Sequence, residues 1–376
     1  MKVLITGSNG FVGKNLKLWL RQRQDIEILC FTRGNTRSDL SDLIGQADIV
    51  IHLAGVNRSD NEQEFEDVNG GLSKALCDEI IAHGKNIPVV YASSIQASED
   101  SAYGSSKRNA ENYIFDLHNK TGSPVYVFRL PNVYGKWCKP NYNSAVATFC
   151  HNIARNIPIT VRDPQAEFTL LYVEDLIDRL IKIIDGARVS PNAAGFESVE
   201  PLTATTVGEV VGLIAKFHQD RKEVSVGNVG TGFVRKLYST YISCLPSTDF
   251  KYPLMEHTDE RGMFVEVLKT QDSGQVSFFT AMENVTRGEH FHHTKTEKFL
   301  VVKGDARFRF RNLDTDQLVE VFSSCEHSEI VETIPGWAHD VTNVGSGEML
   351  VIVWANEVFD RENHDTYPAK AWTHST

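Results

Sequence analysis

The segment Tyr103-Gly-Ser-Ser-Lys107 places a phenol and an amine four residues apart, so both side chains would lie on one face of a helix. A nearby ammonium lowers the pKa of a phenol, which lets a tyrosine exchange a proton with a carbonyl or an alcohol near neutral pH. Ser93 and Ser94 precede this pair at the end of a strand-like run, and a serine hydroxyl would hold the same oxygen in place. The spacing is common by chance, but in this context it predicts acid–base catalysis.

That context is a glycine pattern near the N-terminus. Gly7, Gly10 and Gly13 form G-x-x-G-x-x-G directly after the first apolar run and before a helix-like segment. Glycine there lets the backbone turn tightly and approach a pyrophosphate, whose charge is balanced by the helix N-terminus. The pattern therefore predicts a dinucleotide site.

Two further segments refine the cofactor prediction. The second strand-like run ends near Arg33, where a carboxylate would bind the ribose 2′-hydroxyl of NAD and an arginine suits the 2′-phosphate of NADP. NADP is therefore favoured, with a solvated surface arginine as the alternative. Leu53, Ala54 and Gly55 end another apolar run with small residues, which would let a cofactor lie close to the backbone.

A second chemical pattern lies in the last third of the chain. His290 and His292 are two residues apart, so in a strand both side chains point to one side. Glu297 follows, and His339 ends a distant Pro-Gly-x-x-His segment. Imidazole and carboxylate ligands suit zinc, iron, nickel or manganese. An isolated H-x-H is more often an ordinary surface pair, but this larger set predicts a divalent metal site.

The elements that must position these residues differ between the two parts of the chain. In the first half, short runs rich in Val, Ile and aromatics alternate with amphipathic stretches, which predicts a parallel, doubly wound α/β sheet. The runs are Lys2–Thr6, Glu27–Phe31, Asp48–Leu53, Pro88–Ala92 and Val125–Arg129. Residues 186–204 are rich in Gly, Pro, Ser and Asn and are predicted to form an exposed loop.

From about Phe250 the pattern changes to short strand-like runs separated by turn residues, without a helical period. This is typical of an all-β barrel or sandwich. Residues 245–253 are predicted to be a linker. The predicted domains are therefore residues 1–247, which bind the dinucleotide, and residues 254–376, which bind the metal.

Composition restricts the partners. The chain has 376 residues, enough for two cores, and 38 basic against 49 acidic residues give a net charge of −11. This balance argues against nucleic acid as the main partner. No apolar run reaches the ~18 residues of a membrane span, and six cysteines without a C-x-x-C pair suggest a reducing compartment. We expect a cytoplasmic protein with no membrane partner.

The first 245 residues resemble the extended short-chain dehydrogenase/reductases that act on nucleotide sugars. The matching motifs are GSNGFVG, HLAG at 52–55, YASS at 91–94, YGSSK at 103–107, RLPNVYG at 129–135 and LLYVEDL at 170–176. The resemblance implies a Rossmann-type fold, with Ser94, Tyr103 and Lys107 as catalytic residues while NAD(P)H delivers hydride at a sugar C4. The implied cofactor contacts are Gly7, Asn9, Gly10, Phe11, Val12, Gly13, Arg33, Leu53, Ala54, Gly55, Tyr103 and Lys107.

The same resemblance suggests substrate contacts. Asn132 of the RLPNVYG motif would lie near the sugar, and Ser94 would contact the reacting oxygen. Arg58 and Lys139 are candidates for binding the substrate diphosphate, although a surface role would explain either residue equally well.

The spacing of His290, His292, Glu297 and His339 resembles the two motifs of the cupins, which implies a jelly-roll barrel from about Asp259 to Phe359. The segment DERGMFVE at 259–266 also resembles the dTDP-4-dehydrorhamnose 3,5-epimerases, cupins that act on 4-keto sugars. Two departures matter. That family is metal-free, and Trp354 falls where its tyrosine acid would lie. The acid and base of that family therefore cannot be carried over to this chain.

Further segments are KWCKPNYNS at 136–144, CLPSTDF at 244–250 and HHTKTEKFLVV at 292–302. With them, the chain resembles along its whole length the bifunctional enzymes of capsular polysaccharide synthesis. These epimerise C3 of a UDP-2-acetamido-2,6-dideoxy-4-ketohexose in the cupin and reduce C4 with NADPH, giving UDP-N-acetyl-6-deoxy-L-talosamine. The resemblance implies two cofactors, NADPH and a divalent metal, for which zinc is the preferred candidate. Exposed strand edges suggest a homodimer through the cupin domain. The alternatives are a reductase whose cupin is only a metal-stabilised dimerisation module, and a non-enzymatic NADP sensor, which would need no proton-transfer group.

Overall fold

The structure is a computed structural model that describes residues 1–142, 144–187, 195–254, 256–259, 262–265, 268–270, 274–357, 362 and 364–372. Contacts divide the chain into two compact units. Unit 1 comprises residues 1–144 and 168–205, and unit 2 comprises residues 145–167 and 206–376. The predicted domains, residues 1–247 and 254–376, stay a prediction.

Helices are concentrated in the first 245 residues. In chain order they are α1 (Phe11–Leu20), α2 (Arg37–Gln46), α3 (Glu62–Phe65), α4 (Leu72–Ala82), α5 (Ala102–Thr121), α6 (Ala145–Ala154), α7 (Val173–Ile184), α8 (Val207–Lys222) and α9 (Gly232–Ile242). A π-helical segment, Glu66–Gly71, connects α3 to α4, and 3₁₀ turns lie at Ile95–Ser98 and Ser247–Asp249. None of the helices in the described part of the chain has the length and apolar composition that a membrane crossing requires.

Strands occur along the whole chain. In the first 226 residues they are β1 (Lys2–Thr6), β2 (Glu27–Phe31), β3 (Ile49–His52), β4 (Val89–Ser94), β5 (Val125–Leu130), β6 (Asn132–Tyr134), β7 (Glu167–Tyr172), β8 (Leu202–Thr206) and β9 (Ser225–Val226). The remaining strands are β10 (Lys251–Pro253), β11 (Glu256–Asp259), β12 (Gly262–Val265), β13 (Lys269–Thr270), β14 (Gln275–Ala281), β15 (Thr286–Phe291), β16 (Glu297–Lys303), β17 (Asp305–Asn312), β18 (Leu318–Ser324), β19 (Glu329–Glu332), β20 (Trp337–Asn343), β21 (Met349–Ala355) and β22 (Tyr367–Pro368).

Unit 1 is built on a parallel sheet in the order β2-β1-β3-β4-β5, which confirms the α/β prediction. Its central strands are almost wholly buried because helices cover them, as the continuous apolar runs predict. The strand order reverses between β1 and β3. In open α/β sheets such a reversal opens a crevice at the carboxyl ends of the strands, where ligands bind.

The loop predicted for residues 186–204 is only partly correct, and residues 188–194 lie outside the described residues. Glu197 is buried, bridges Phe128 in parallel, and donates its amide to the carbonyl of Val127 at 2.8 Å. Strand β8 begins at Leu202. The polar composition concealed this pairing because an edge segment needs few apolar residues.

Unit 2 contains two five-stranded antiparallel sheets, which confirms the all-β prediction for the C-terminal region. Within the described residues their orders are β10-β19-β16-β21-β14 and β18-β17-β20-β15-β22. Strand β15 carries a β-bulge between Gly288 and His290, so that His290 rather than Glu289 lies opposite His339 of β20. Gly288 and Glu289 both have positive φ, which is how this strand accommodates the extra residue.

The predicted linker, residues 245–253, is instead packed against the barrel. Phe250 is buried, with its ring 5.1 Å from that of Trp337 and 5.6 Å from that of Phe310. Tyr252 of β10 pairs with Ile330 of β19. The linker prediction was wrong because it followed the Pro, Ser, Thr and Asp residues, which indicate an exposed turn. The segment is instead held to the barrel by Phe250 and Tyr252.

Candidate active site and metal centre

The glycine turn lies at the crevice of the parallel sheet. Gly7 follows β1 with φ +65°, and its amide donates to the carbonyl of Phe31 at 3.0 Å. A Cβ on Gly7 would lie 2.7 Å from Ala54, and a Cβ on Gly13 would lie 2.5 Å from the carbonyl oxygen of Gly7. Only glycine fits at both positions. Gly10 caps α1 without a side-chain hydrogen bond, which leaves the first amides of that helix available to an anion. The turn therefore fits a dinucleotide pyrophosphate.

The other predicted cofactor residues surround this turn. Phe11 and Val12 form the first half-buried positions of α1, and the side-chain oxygen of Asn9 accepts a hydrogen bond from Lys17 at 3.0 Å. Arg33 lies two residues beyond the end of β2 and is exposed. Because β2 contacts the glycine turn through Phe31, the position of Arg33 suits a contact with the adenosine ribose.

The predicted catalytic residues lie where β4 ends and α5 begins. Ser94 is the last residue of β4, and Tyr103 and Lys107 occupy the first two turns of α5, one turn apart as predicted. Tyr103 is half-buried, with its ring edge-on to that of Phe65 at 5.7 Å. Burial raises the pKa of Tyr103, and the hydroxyl of Ser94 opposes this shift. The structure therefore brings Ser94 and Tyr103 together.

Lys107 is buried, and its amine has well-defined neighbours. Its Nζ donates to the carbonyl of Ala92 at 2.8 Å and lies 4.6 Å from the centre of the Tyr91 ring. Burial lowers the pKa of Lys107 to about 8. A Cβ on Gly55 would lie 3.7 Å from this Nζ. Since Ala54 adjoins Gly7, the segment Leu53–Gly55 lies close both to the glycine turn and to the amine of Lys107.

One expectation about this pair needs correction. The sequence predicted that the lysine would lower the pKa of the phenol, but the pKa of Tyr103 is raised because burial removes water from the hydroxyl. The ammonium of Lys107 is directed to the carbonyl of Ala92 and the ring of Tyr91. Tyr103 is therefore protonated at neutral pH in this structure, the form that can donate a proton.

Sequence reasoning missed Asn69, a buried residue of the π-helical segment. Its side chain exchanges two hydrogen bonds with the backbone of Val56, at 2.9 and 3.0 Å, and donates to the hydroxyl of Ser106 at 3.0 Å. Asn69 thus fixes the end of the Leu53–Gly55 segment to the helix that carries Tyr103 and Lys107. A π-helical turn, which is frequent at functional sites, would have been the signal, but its sequence reads as ordinary helix.

Sequence reasoning also missed Glu111, one turn beyond Lys107 on α5. Its carboxylate accepts two hydrogen bonds from Arg129 of β5, at 3.0 and 2.7 Å, and one from Ser93 at 2.5 Å. Glu111 also stabilises the charge of Lys107, which partly offsets the effect of burial on the pKa of that amine. This network fixes α5 to the ends of two neighbouring strands.

Three of the candidate substrate residues, Arg58, Asn132 and Lys139, follow strand β3 or β5 of the parallel sheet along the chain. Asn132 begins β6 and is exposed. Arg58 donates to the carbonyls of Tyr142 and Asn141, at 2.9 and 3.4 Å, and the amine of Lys139 lies 4.9 Å from the Tyr142 ring. The structure thus brings Arg58 and Lys139 to one segment around Tyr142, but part of the donor capacity of Arg58 is already used there.

The four predicted metal ligands converge inside the barrel of unit 2. His290, His292, Glu297 and His339 each offer one ligand atom, and these atoms all lie within 4.8 Å of one another. Strand β15 supplies His290, β20 supplies His339, and Glu297 begins β16. The bulge in β15 places His290 opposite His339, with their ring centres 4.6 Å apart.

The donor atoms of this cluster fit a cation. His292 Nδ1 donates to the carbonyl of Asp365 at 2.5 Å, so its Nε2 presents a lone pair to Glu297 Oε2 at 3.2 Å. His339 Nε2 lies 3.5 Å from the same oxygen. Two acceptors at such a distance need a proton or a cation between them. Nε2 of His290 and Nδ1 of His339 are buried and have no hydrogen-bond partner among the described residues.

The pKa shifts favour the ligand forms of these side chains. Burial lowers the pKa of His290 to about 3 and also lowers that of His339, so both imidazoles are neutral near pH 7. Although burial raises the pKa of Glu297, a proton on His292 and the ammonium of Lys295, 3.2 Å from Oε1, hold it well below its usual range. A metal cation in place of that proton would have the same effect. Neutral imidazoles and an ionised carboxylate are the forms that bind Zn²⁺.

In the epimerase-like segment at 259–266, the described residues belong to the paired strands β11 and β12. Glu260, Arg261 and Glu266 lie outside the described residues. Trp354, in the place expected for a tyrosine acid, is buried on β21.

Comparisons with known proteins agree with this division of chemistry. The model of the NAD dependent epimerase/dehydratase family matches residues 3–193, and that of the polysaccharide biosynthesis C-terminal domain matches residues 257–367. The chain is 53% identical over 367 residues to a UDP-2-acetamido-2,6-beta-L-arabino-hexul-4-ose reductase of Pseudomonas aeruginosa, with 98% of each chain covered.

Solved structures show similar relationships. The capsular polysaccharide assembling protein CapF from Staphylococcus aureus is 40% identical, with a TM-score of 0.66 over 98% of this chain and 100% of that chain. A UDP-glucuronic acid 4-epimerase from Bacillus cereus is 19% identical, with a TM-score of 0.51 over 58% of this chain and 83% of that chain, and shows the fold alone.

Proposed function

Because the chain belongs to the NAD dependent epimerase/dehydratase family, we propose that it is an NADPH-dependent reductase of a UDP-linked 4-keto sugar. The observation that carries the proposal is the position of Lys107. Its amine lies next to Gly55, which follows the residue that adjoins Gly7, and Lys107 shares a helix face with Tyr103. A proton donor and a charged amine thus adjoin a crevice that fits a dinucleotide.

The residues of the crevice have distinct roles in this proposal. Tyr103, whose pKa is raised by burial, gives its proton to the C4 oxygen as that oxygen gains charge. The hydroxyl of Ser94, next to the phenol, holds the same oxygen. Lys107 stabilises the phenolate left on Tyr103 and orients the cofactor ribose. When bound, the nicotinamide supplies the hydride. Arg33, exposed beyond β2, selects NADPH through the 2′-phosphate.

The substrate assignment rests on the relative from P. aeruginosa, which is named UDP-2-acetamido-2,6-beta-L-arabino-hexul-4-ose reductase. By this similarity the substrate is a UDP-2-acetamido-2,6-dideoxy-4-ketohexose and the product is UDP-N-acetyl-6-deoxy-L-talosamine. Asn132 would contact the sugar, and Arg58 and Lys139 the diphosphate. The proposed pathway is the synthesis of capsule or O-antigen polysaccharide, and the proposed location is the cytoplasm.

The barrel would carry out a preceding step, inversion at C3. The 4-keto group makes the C3 hydrogen acidic, so C3 can lose and regain a proton. A divalent cation, preferably zinc, would be held by His290, His292, Glu297 and His339. It would either withdraw electron density from the sugar carbonyl or serve only to hold the strands of the barrel together. A metal-bound His290 is not available as a base, so the proton at C3 would be removed by a group other than this ligand.

The test uses the full-length protein with the UDP-4-keto sugar in deuterated water. Tyr103→Phe should reduce NADPH oxidation by at least ~100-fold, since general acid catalysis contributes about that much, and should leave deuterium exchange at C3 unchanged. Tyr113→Phe, on the same helix, is the matched control and should keep both activities. NADH in place of NADPH tests the role of Arg33.

The results separate the alternatives. Reduction that persists in Tyr103→Phe would remove the proposed role of that residue. If the wild-type protein reduces the sugar but exchanges no deuterium at C3, the barrel is not an epimerase. The single-function reductase with a metal-stabilised assembly module would then be correct.

A further inference from the structure

The loop between His292 and Glu297 has an unusual pattern of backbone hydrogen bonds. The five successive amides of residues 293–297 each donate to a side-chain oxygen from another part of the barrel. Thr333 accepts from the amide of Glu297 at 2.8 Å, and Asn356 accepts from that of Thr296 at 3.0 Å. The three remaining amides donate to one carboxylate. The conformation that brings two of the proposed ligands together therefore depends on three side chains.

That carboxylate belongs to Asp365. Its Oδ1 accepts from the amide of His293 at 2.8 Å, and its Oδ2 accepts from the amides of Thr294 and Lys295, at 2.6 and 2.7 Å. The hydroxyl of Thr294 also donates to Oδ2, at 2.7 Å. Successive amides directed at one anion form a nest, and a carboxylate with several such donors makes strong, charge-assisted bonds. Asp365 thus organises most of the ligand loop.

The backbone of Asp365 acts on a proposed ligand directly. Its carbonyl accepts from His292 Nδ1 at 2.5 Å, which fixes the tautomer with Nε2 free to bind a cation. Strand β22 holds the residue in place, because Tyr367 and Pro368 pair with Phe291 and His290 of β15. The segment that carries Asp365 therefore lies along β15, which carries His290 and ends one residue before His292.

A second contact reaches the same loop from helix α9. Arg235 donates to the hydroxyl oxygen of Thr294 at 2.7 Å and to Glu357 at 2.6 Å. The Thr294 hydroxyl thus accepts from Arg235 and donates to Asp365, which orients it fully. Its loss would remove one of the four hydrogen bonds that the Asp365 carboxylate accepts from the loop, and so weaken the hold of Asp365 on it.

We propose that Asp365 is a positioning residue for the metal centre: its carboxylate shapes the loop 293–297, and its carbonyl orients His292 for coordination. The inference rests on the metal site of the proposed function and adds the C-terminal segment to it. Partners of this kind typically change metal affinity by about 10–100-fold.

The experiment measures zinc affinity of the full-length protein by competition with a chromogenic chelator, together with the visible absorption of the Co²⁺-substituted form. In Asp365→Asn the amide NH₂ would face a backbone donor, so one hydrogen bond and the negative charge are lost. We expect roughly 10–100-fold weaker zinc binding and an altered Co²⁺ spectrum. Asp316→Asn makes the same charge change at an exposed position and should leave both unchanged.

A second pair of variants covers the case in which Asp365→Asn does not fold. Thr294→Val removes the hydroxyl that links Arg235 to Asp365, whereas Thr294→Ser keeps it. Weaker zinc binding in the valine variant, with wild-type affinity in the serine variant, would support the inference. Equal affinity in these two variants and the wild type would overturn it.

The remaining outcomes are distinguishable. Wild-type zinc affinity and an unchanged Co²⁺ spectrum in Asp365→Asn, even with a lower Tm, would make Asp365 a purely structural residue and overturn the inference alone. A wild-type protein that binds neither Zn²⁺ nor Co²⁺ would overturn the metal site of the proposed function as well as this inference.

Discussion

At the scale of single residues, Lys107 combines a charge with almost complete burial. Its amine has one carbonyl and one aromatic face in place of water, and its pKa falls to about 8. Below this pH the amine is charged and can stabilise a phenolate on Tyr103. Above it the charge is lost before any change in Tyr103, whose pKa is raised. We therefore expect kcat/KM for the sugar, which reports ionisations of the free enzyme, to fall as the pH rises through about 8.

The control for this alkaline limb is Lys107→Arg. A guanidinium stays charged throughout the accessible pH range, so this variant should have a lower kcat/KM but no decline between pH ~7.5 and ~9.5. If the limb persists near pH 8 in the arginine variant, another group titrates there and Lys107 is not its source.

At the scale of elements, the bulge in β15 places the imidazole of His290 opposite that of His339. Gly288 has φ +97°, and a Cβ there would lie 3.1 Å from the carbonyl oxygen of His339. Gly288→Ala would therefore strain the backbone and displace the strand that carries His339. We expect a loss of ~1–3 kcal/mol in the free energy of unfolding and about tenfold weaker zinc binding.

Gly347→Ala is the matched control for the bulge. Gly347 also has positive φ, +87°, but a Cβ there would meet no atom within 4 Å. Its replacement should cost a similar amount of stability, measured by thermal or denaturant unfolding, and leave zinc affinity unchanged. Equal zinc affinity in both variants would show that the bulge does not set the metal geometry.

The elements also show how far the sequence could predict the site. The glycine turn, Tyr103 with Lys107, and the H-x-H pair have short-range spacings that a strand or helix converts directly into geometry, and these were predicted. Asp365 lies 73 residues after His292, and Asn69 lies 37 residues before Ser106. Such contacts depend on which strands pair and where a helix becomes π-helical, which no local pattern in one sequence reveals.

At the scale of the whole chain, unit 2 joins the barrel to helices that precede it in sequence. Glu332 of β19 is buried between Lys298 of β16 and Arg221 of α8, and Arg221 lies over the ring of Tyr252. Removing one partner of a buried ion pair leaves an uncompensated charge, which is strongly destabilising. A barrel cut from the chain near residue 250 would lose Arg221 and expose this network. For this reason the experiments on the metal site use the full-length chain.

The same barrel supports the proposal of a homodimer. Strand β14 pairs only with β21 among the described residues and forms the edge of its sheet. Val276 and Phe278 on this strand are 60% and 70% exposed, and Met282, which follows it, is 64% exposed. A bare apolar edge favours pairing with another strand, and a second copy supplies an identical edge. We propose that two chains associate through β14.

Phe278→Glu tests this arrangement because it places a charge where the dimer would bury an aromatic ring. Burial of a phenylalanine contributes ~1.5–3 kcal/mol per side, so the dissociation constant of the dimer should rise by at least about tenfold. Light scattering after size-exclusion chromatography at several concentrations would measure this change. Phe322→Glu, on the edge strand β18 of the other sheet, alters a residue that is 57% exposed and should leave the dimer intact. A monomeric wild-type protein, or dissociation caused by Phe322→Glu alone, would place the interface elsewhere or remove it.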